Sequence, residues 1–117
     1  MVYLLCLILL AIIGFQVALI FGAPFGRLTQ GGQIEGALPL AGRIVAALSI
    51  VILAAIALAM LSAEGRWPYW PRWTAWLGAS VLAVSTVLNW ITPSPAERRL
   101  WGPTLTVTLV LAITILF

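Results

Sequence analysis

Residues 22–43 read GAPFGRLTQGGQIEGALPLAGR, the only long stretch of the chain that is neither a continuous apolar run nor an ordinary short turn. Gly22, Gly26, Gly31, Gly32, Gly36 and Gly42 allow tight backbone turns, while Pro24 and Pro39 interrupt any continuous helix. Connections between packed helices usually run about 2–8 residues, so this one is long. Phe25, Leu28, Ile34, Leu38 and Leu40 make it too apolar for a freely solvated loop. The sequence predicts a compact segment folded at the membrane interface, with protein or water covering its backbone polar groups. It is either a cap that closes a helix bundle or a binding or gating element.

On either side the charges disappear. Met1–Gly26, Ile44–Ala63, Trp73–Pro95 and Leu100–Phe117 carry none. The whole chain is 63% hydrophobic and 8% charged, with a mean hydropathy of +1.16. Soluble domains carry about 25% charged residues, and a helix needs about 20 residues to cross the hydrocarbon core. The expected fold is all-α: a four-helix transmembrane bundle forming one integral membrane domain over residues 1–117. Its helices are placed at about 2–21, 43–63, 73–91 and 101–117. No alternating ten-residue segments suggest a membrane β-barrel. The first run lacks the basic start of a signal peptide, so it is expected to stay as a helix.

Within the spans, small residues four apart suggest close helix packing in lipid. Gly14, Ala18 and Gly22 form such a face on the first helix. Ala47, Ala55, Ala59 and Ala63 form one on the second, and Ala75, Ala79 and Ala83 one on the third. Gln16 sits near mid-span, where an unpartnered amide is costly; it either makes one interhelical hydrogen bond or lines a solute path. Ser85 and Asn89, four apart, share a helix face. Residues 66–76, RWPYWPRWTAW, read as an aromatic belt at headgroup level, and Gly65 as a left-handed helix cap. Ser94, Pro95 and Glu97 fit a capping box with proline at the first helical position. That assigns Glu97 a structural role in a short turn, with a kink or restart near Gly102-Pro103. Arg43 is expected to snorkel to the headgroups, and the threonines of the last helix to bond its own carbonyls.

The topology puts residues 22–43 and 92–100 at one end of the bundle. Arg27, Arg43, Arg98 and Arg99 lie on that side and Arg66 and Arg72 on the other. The excess predicts both connections in the cytoplasm and both termini outside a cell (inner or plasma) membrane. The same end gathers Arg27, Gln30, Gln33, Glu35, Arg43, Glu97 and Arg98, with Asn89 just beneath; these are the candidate binding residues. Gln16, Ser85 and Asn89 are the candidate pore lining.

Much chemistry is excluded. The chain has no His, one Cys and only three acidic residues, all Glu assigned to connections, and its six cations are all Arg. Zinc, haem and iron–sulfur ligand sets are missing, as is any base-activated nucleophile pair. Residues 26–32 are glycine-rich but lack the Lys and Ser/Thr of a phosphate-cradling loop. No enzyme activity, cofactor, metal or nucleic-acid partner is expected. Small four-helix multidrug exporters share the length and helix count, but they rely on a carboxylate within a span, and the predicted spans contain none.

The pattern GxPxGRxxxGGQxxGxLPxxxR, followed by NWxxxSxxERxxWGP, covers residues 22–103. It resembles small bacterial four-helix integral membrane proteins of uncharacterised activity, a resemblance that implies a fold and no function. Two readings follow. One is a non-catalytic subunit that oligomerises or packs, among membrane lipid, beside a larger membrane complex. The other is a homo-oligomeric channel or facilitator for a small solute, gated by residues 22–43.

Overall fold

The computed structural model describes residues 1–117. It has four helices: α1 Val2–Ile20, α2 Leu40–Ala63, α3 Arg72–Ile91 and α4 Pro95–Leu116. Two short 3-10 turns, Gly26–Leu28 and Gln30–Gly32, lie between α1 and α2. All four helices are long and apolar enough to cross a membrane. The long axis of the molecule is 42 Å, which matches the roughly 40–45 Å of a bilayer with its headgroup regions.

The chain forms two hairpins, α1 on α2 and α3 on α4, joined where α2 meets α3 and closed by α1 against α4. One end of the bundle, called the mouth here, carries residues 21–39 and 92–94. The opposite end carries both termini and residues 64–71. Here Trp67, Tyr69, Trp70, Trp73 and Trp76 are exposed, Trp76 packs edge-on against Phe117, and the Arg66 guanidinium lies 4.7 Å from the Tyr3 ring centre. Gly65 adopts φ +76 and closes α2 as its sequence position suggested, with the Arg66 N–H bonded to the Leu61 carbonyl.

The apolar core fills the half of the bundle nearest the termini. Val2, Leu5, Leu9 and Ile12 of α1 meet Ile56 and Met60 of α2, Ala75, Ala79 and Leu82 of α3, and Leu105, Ala112 and Leu116 of α4. Gly78 sits against Ile56, so α3 packs closely on α2 at this position. At the mouth a separate small cluster, Leu19, Leu38 and Ala46, ties the end of α1 and the start of α2 to the segment between them. Elsewhere the outward faces are apolar, including Leu4, Leu7, Leu48, Val51, Val84, Val107 and Val110.

Four expectations change. α2 begins at Leu40, three residues early, because Pro39 serves as its extended N-cap. α4 begins at Pro95 and runs without interruption through Pro103. The proline leaves the Arg99 carbonyl without its helical partner, but Arg99 is exposed and water can supply one. Ala75 and Ala79 do pack inside, but Gly14 is exposed and a Cβ built on it meets nothing within 4 Å. Gly14 therefore belongs to no seam within the chain. On α2 the buried small residues are Gly42, Ala46 and Ala59, while Ala47 and Ala55 face outward. Thr104, Thr106, Thr108 and Thr114 of α4 do bond carbonyls one turn back, as Thr108 does to Thr104 at 2.8 Å.

The tightest backbone approach lies at Gly26, whose N–H bonds the Gly36 carbonyl at 2.8 Å. A Cβ there would sit 2.7 Å from that oxygen and closer still to the Ile34 carbonyl. Gly26→Ala is therefore expected to cost about 1–3 kcal/mol through overpacking against backbone, measured as a lower unfolding midpoint in nanodiscs. Gly14→Ala, with open space around it, should leave that midpoint unchanged or slightly higher.

Candidate functional site

The site is built on the first two turns of α4. Ser94, Glu97 and Trp101 are three and four residues apart and so point from one helix face. Ser94 caps the helix by accepting the Glu97 N–H at 3.2 Å, the first half of the expected capping box. Its hydroxyl also donates to the Arg27 carbonyl at 2.8 Å. The Trp101 indole N–H donates to the Leu28 carbonyl at 2.7 Å. Glu97 does not reach back to the Ser94 N–H, which the Thr92 hydroxyl takes instead. Its Oε2 accepts the Gly31 N–H at 3.0 Å and the Thr92 hydroxyl at 3.3 Å. Glu97 is 7% exposed. It is thus a buried helical residue holding a glycine 66 positions away, which corrects its reading as a turn residue with a purely local cap role.

Beneath these contacts lies a cavity of about 260 Å³. Ile12, Ile56, Leu82 and Leu105, the last layer of the apolar core, form its floor. Thr29, Gln30, Glu97 and Trp101 line it on the mouth side, and Gln16, Ser49, Ser85 and Asn89 add polar groups along the walls. The three predicted pore-lining residues, Gln16, Ser85 and Asn89, therefore share one cavity. The Asn89 amide N–H donates to the Ser85 carbonyl at 2.8 Å, leaving its oxygen toward other donors. Gln16 lines the space with an amide that bonds nothing in the chain. The cavity is not sealed, because Gln30 and Ile52 on its wall are exposed.

The eight candidate binding residues divide into groups. Gln30, Asn89 and Glu97 line the cavity, and the Gln30 amide also donates to the Gly42 carbonyl at 2.9 Å. Arg27 and Gln33 face an outer cleft with Arg99, Gly32 and Ser94. Glu35 is exposed and lines neither space. Arg43 and Arg98 serve helix ends. Arg43 Nε donates to the Leu38 carbonyl at 2.9 Å and Nη1 to the Ile20 carbonyl at 3.4 Å, so it caps α1 rather than snorkelling outward. Arg98 Nη2 donates to the Thr92 carbonyl at 2.8 Å, just beyond α3. Its buried Nε has no partner, and nothing in the structure explains that.

No family model matches the chain, and neither does any curated protein or solved structure. The geometry alone must therefore carry the functional reading. The wall offers amides, hydroxyls, one carboxylate and an indole, groups able to hydrogen-bond or pack against a small molecule, none of them an activated nucleophile. Thr29, Ser49 and Trp101 were not singled out beforehand. Ser49 shares a helix face with Ile52, Leu53 and Ile56 at 3.6-residue spacing, a signal that was available in the sequence. The position of Thr29 depends on long-range contacts and had none.

Glu97→Ala should strip the Gly31 N–H of its partner and loosen residues 26–32. A hydrogen bond to a charged group contributes about 1.5–3 kcal/mol, so amide exchange at Gly31 should quicken at least about tenfold. Exchange in the core half of α3 should stay unchanged, and Glu97→Gln should have a smaller effect because it keeps an acceptor oxygen.

Proposed function

We propose that the chain is a multi-pass membrane protein that binds a small solute in the cavity beneath residues 22–43 and acts as a facilitator for it. The observation that carries this reading is the cavity, where Gln16, Ser85, Asn89 and Glu97 converge inside an otherwise apolar bundle. Polar and ionisable groups at such depth are costly, and most often mark a solute or ion path. Residues 22–39 act as the cap, held down by Ser94, Glu97 and Trp101. Passage to the far side requires the floor of Ile12, Ile56, Leu82 and Leu105 to part, or a path between copies of the chain. The arginine excess at the mouth orients it to the cytoplasm of a cell membrane, with residues 22–43 at the headgroup interface and the Trp-rich end outside.

The test replaces Gln16 and Asn89 together by Leu, which fills and dries the cavity. Proteoliposome uptake of a panel of small polar and cationic solutes should fall at least about tenfold, with assembly unchanged. Uptake unaffected by the double variant would sink the reading.

A second reading, an oligomerising or accessory subunit, draws on the exposed Gly14. With nothing within 4 Å of its Cβ and Ala11 and Val17 exposed on the same face, α1 can accept a second helix closely. Gly14→Leu should then convert an oligomer to monomer in native mass spectrometry without lowering the unfolding midpoint of the monomer. An oligomer that survives Leu at this position would remove α1 as the contact.

A further inference from the structure

We propose that the cavity selects a small organic cation: an ammonium group on a compact apolar body, seated against Glu97. The inference rests on the solute-binding reading above and specifies its ligand.

Both hydrogen bonds received by the Glu97 carboxylate go to Oε2, from the Gly31 N–H and the Thr92 hydroxyl. Oε1 accepts none from the chain, although the residue is 7% exposed and lines the cavity. A carboxylate holds about four lone-pair sites, so the free oxygen is available to a donor inside the cavity.

None of the six arginines forms an ion pair with Glu97, although Arg98 bonds the carbonyl of Thr92, the residue whose hydroxyl the carboxylate accepts. Arg43 and Arg98 bond carbonyls at the mouth, and Arg72 bonds the Leu116 carbonyl at the far end. Arg66 lies over Tyr3, also at the far end. Arg27 and Arg99 line the outer cleft and not the cavity. The amino terminus begins α1 at the opposite end of the bundle. The chain has no Lys and no His. Glu97 is therefore a buried carboxylate without a countercharge, and a buried charge is strongly favoured by a partner of opposite sign. A bound cation supplies it; a bound anion would add repulsion.

Apart from Glu97 the cavity wall is uncharged, with amides at Gln16 and Asn89 and aliphatic side chains from Ile12 to Leu105. The Trp101 indole lines the same space, and aromatic faces attract cations. A volume of about 260 Å³ exceeds the roughly 150 Å³ of a cavity that takes benzene, leaving room for one ring and a short ammonium arm.

The test uses the full chain in zwitterionic nanodiscs, titrated calorimetrically with 2-phenylethylammonium and with its neutral match 2-phenylethanol, empty discs subtracted. The cation should bind at least about tenfold more tightly, and Glu97→Gln should erase that preference while still binding the alcohol. Equal binding of both probes to the wild type overturns the cation assignment and leaves the cavity as a neutral-solute site. Binding of neither probe also overturns the cation assignment, and the cavity reading falls separately if solute uptake survives the Gln16→Leu/Asn89→Leu change. Should Glu97→Gln fail to fold, the comparison of the two probes on the wild type decides alone.

Discussion

An irregular stretch of backbone beside an apolar bundle has to find partners for its N–H and C=O groups within the protein, and this constraint organises the mouth. Residues 26–32 form only two short 3-10 turns, so several of their polar groups are left to whatever packs on them. The start of α4 answers with three side chains from one face: a hydroxyl for the Arg27 carbonyl, an indole for the Leu28 carbonyl and a carboxylate for the Gly31 N–H. Because those donors and acceptors are fixed on one helix, they hold the segment against the start of α4. The first hairpin is thereby registered against the second at the end where the apolar core does not reach.

The same demand for partners explains the chain's use of arginine. Helix C-termini leave carbonyls without intrahelical donors, and here guanidinium groups meet several of them. Arg43 reaches Ile20 at the end of α1, Arg72 reaches Ala63 and Leu116, and Arg98 reaches Thr92. A planar group with five donors can bridge two carbonyls on different elements, as Arg43 and Arg72 do; a lysine ammonium is a compact point charge with no such fork. These residues read in the sequence as flanking charges that orient a membrane protein, and in the fold they are also fasteners.

The number and placement of the helices were legible because length and apolar content suffice for that. So were local devices whose partners lie within one turn: the Gly65 cap, the Ser94 cap and the threonines of α4. What failed was phase. A helix that is apolar around its whole circumference has no hydrophobic face to declare which side turns inward. Small-residue spacing was therefore a weak guide to packing within the chain: Ala75 and Ala79 turn inward, while Gly14, Ala47 and Ala55 face outward. Gln16, Ser85 and Asn89 were found because a polar residue in such a helix does mark a face. Glu97 was misplaced for a different reason. Its local cap role looked sufficient, and the contact that gives it another, the Gly31 N–H, is set by tertiary packing that no spacing encodes.

The division of the bundle into a packed half and a hollow half has a consequence for how such a sequence can change over generations. Residues at the far end interlock, so substitutions at Leu9, Met60 or Ala112 must conserve volume to preserve the fold. Around the cavity, positions such as Ser49, Ser85 and Asn89 border empty space, and new side chains there meet little resistance from neighbours. The hollow half is free to drift in polarity and size while the packed half keeps the architecture intact. A lineage built on this plan can vary the lining of the cavity without first having to survive a loss of structure.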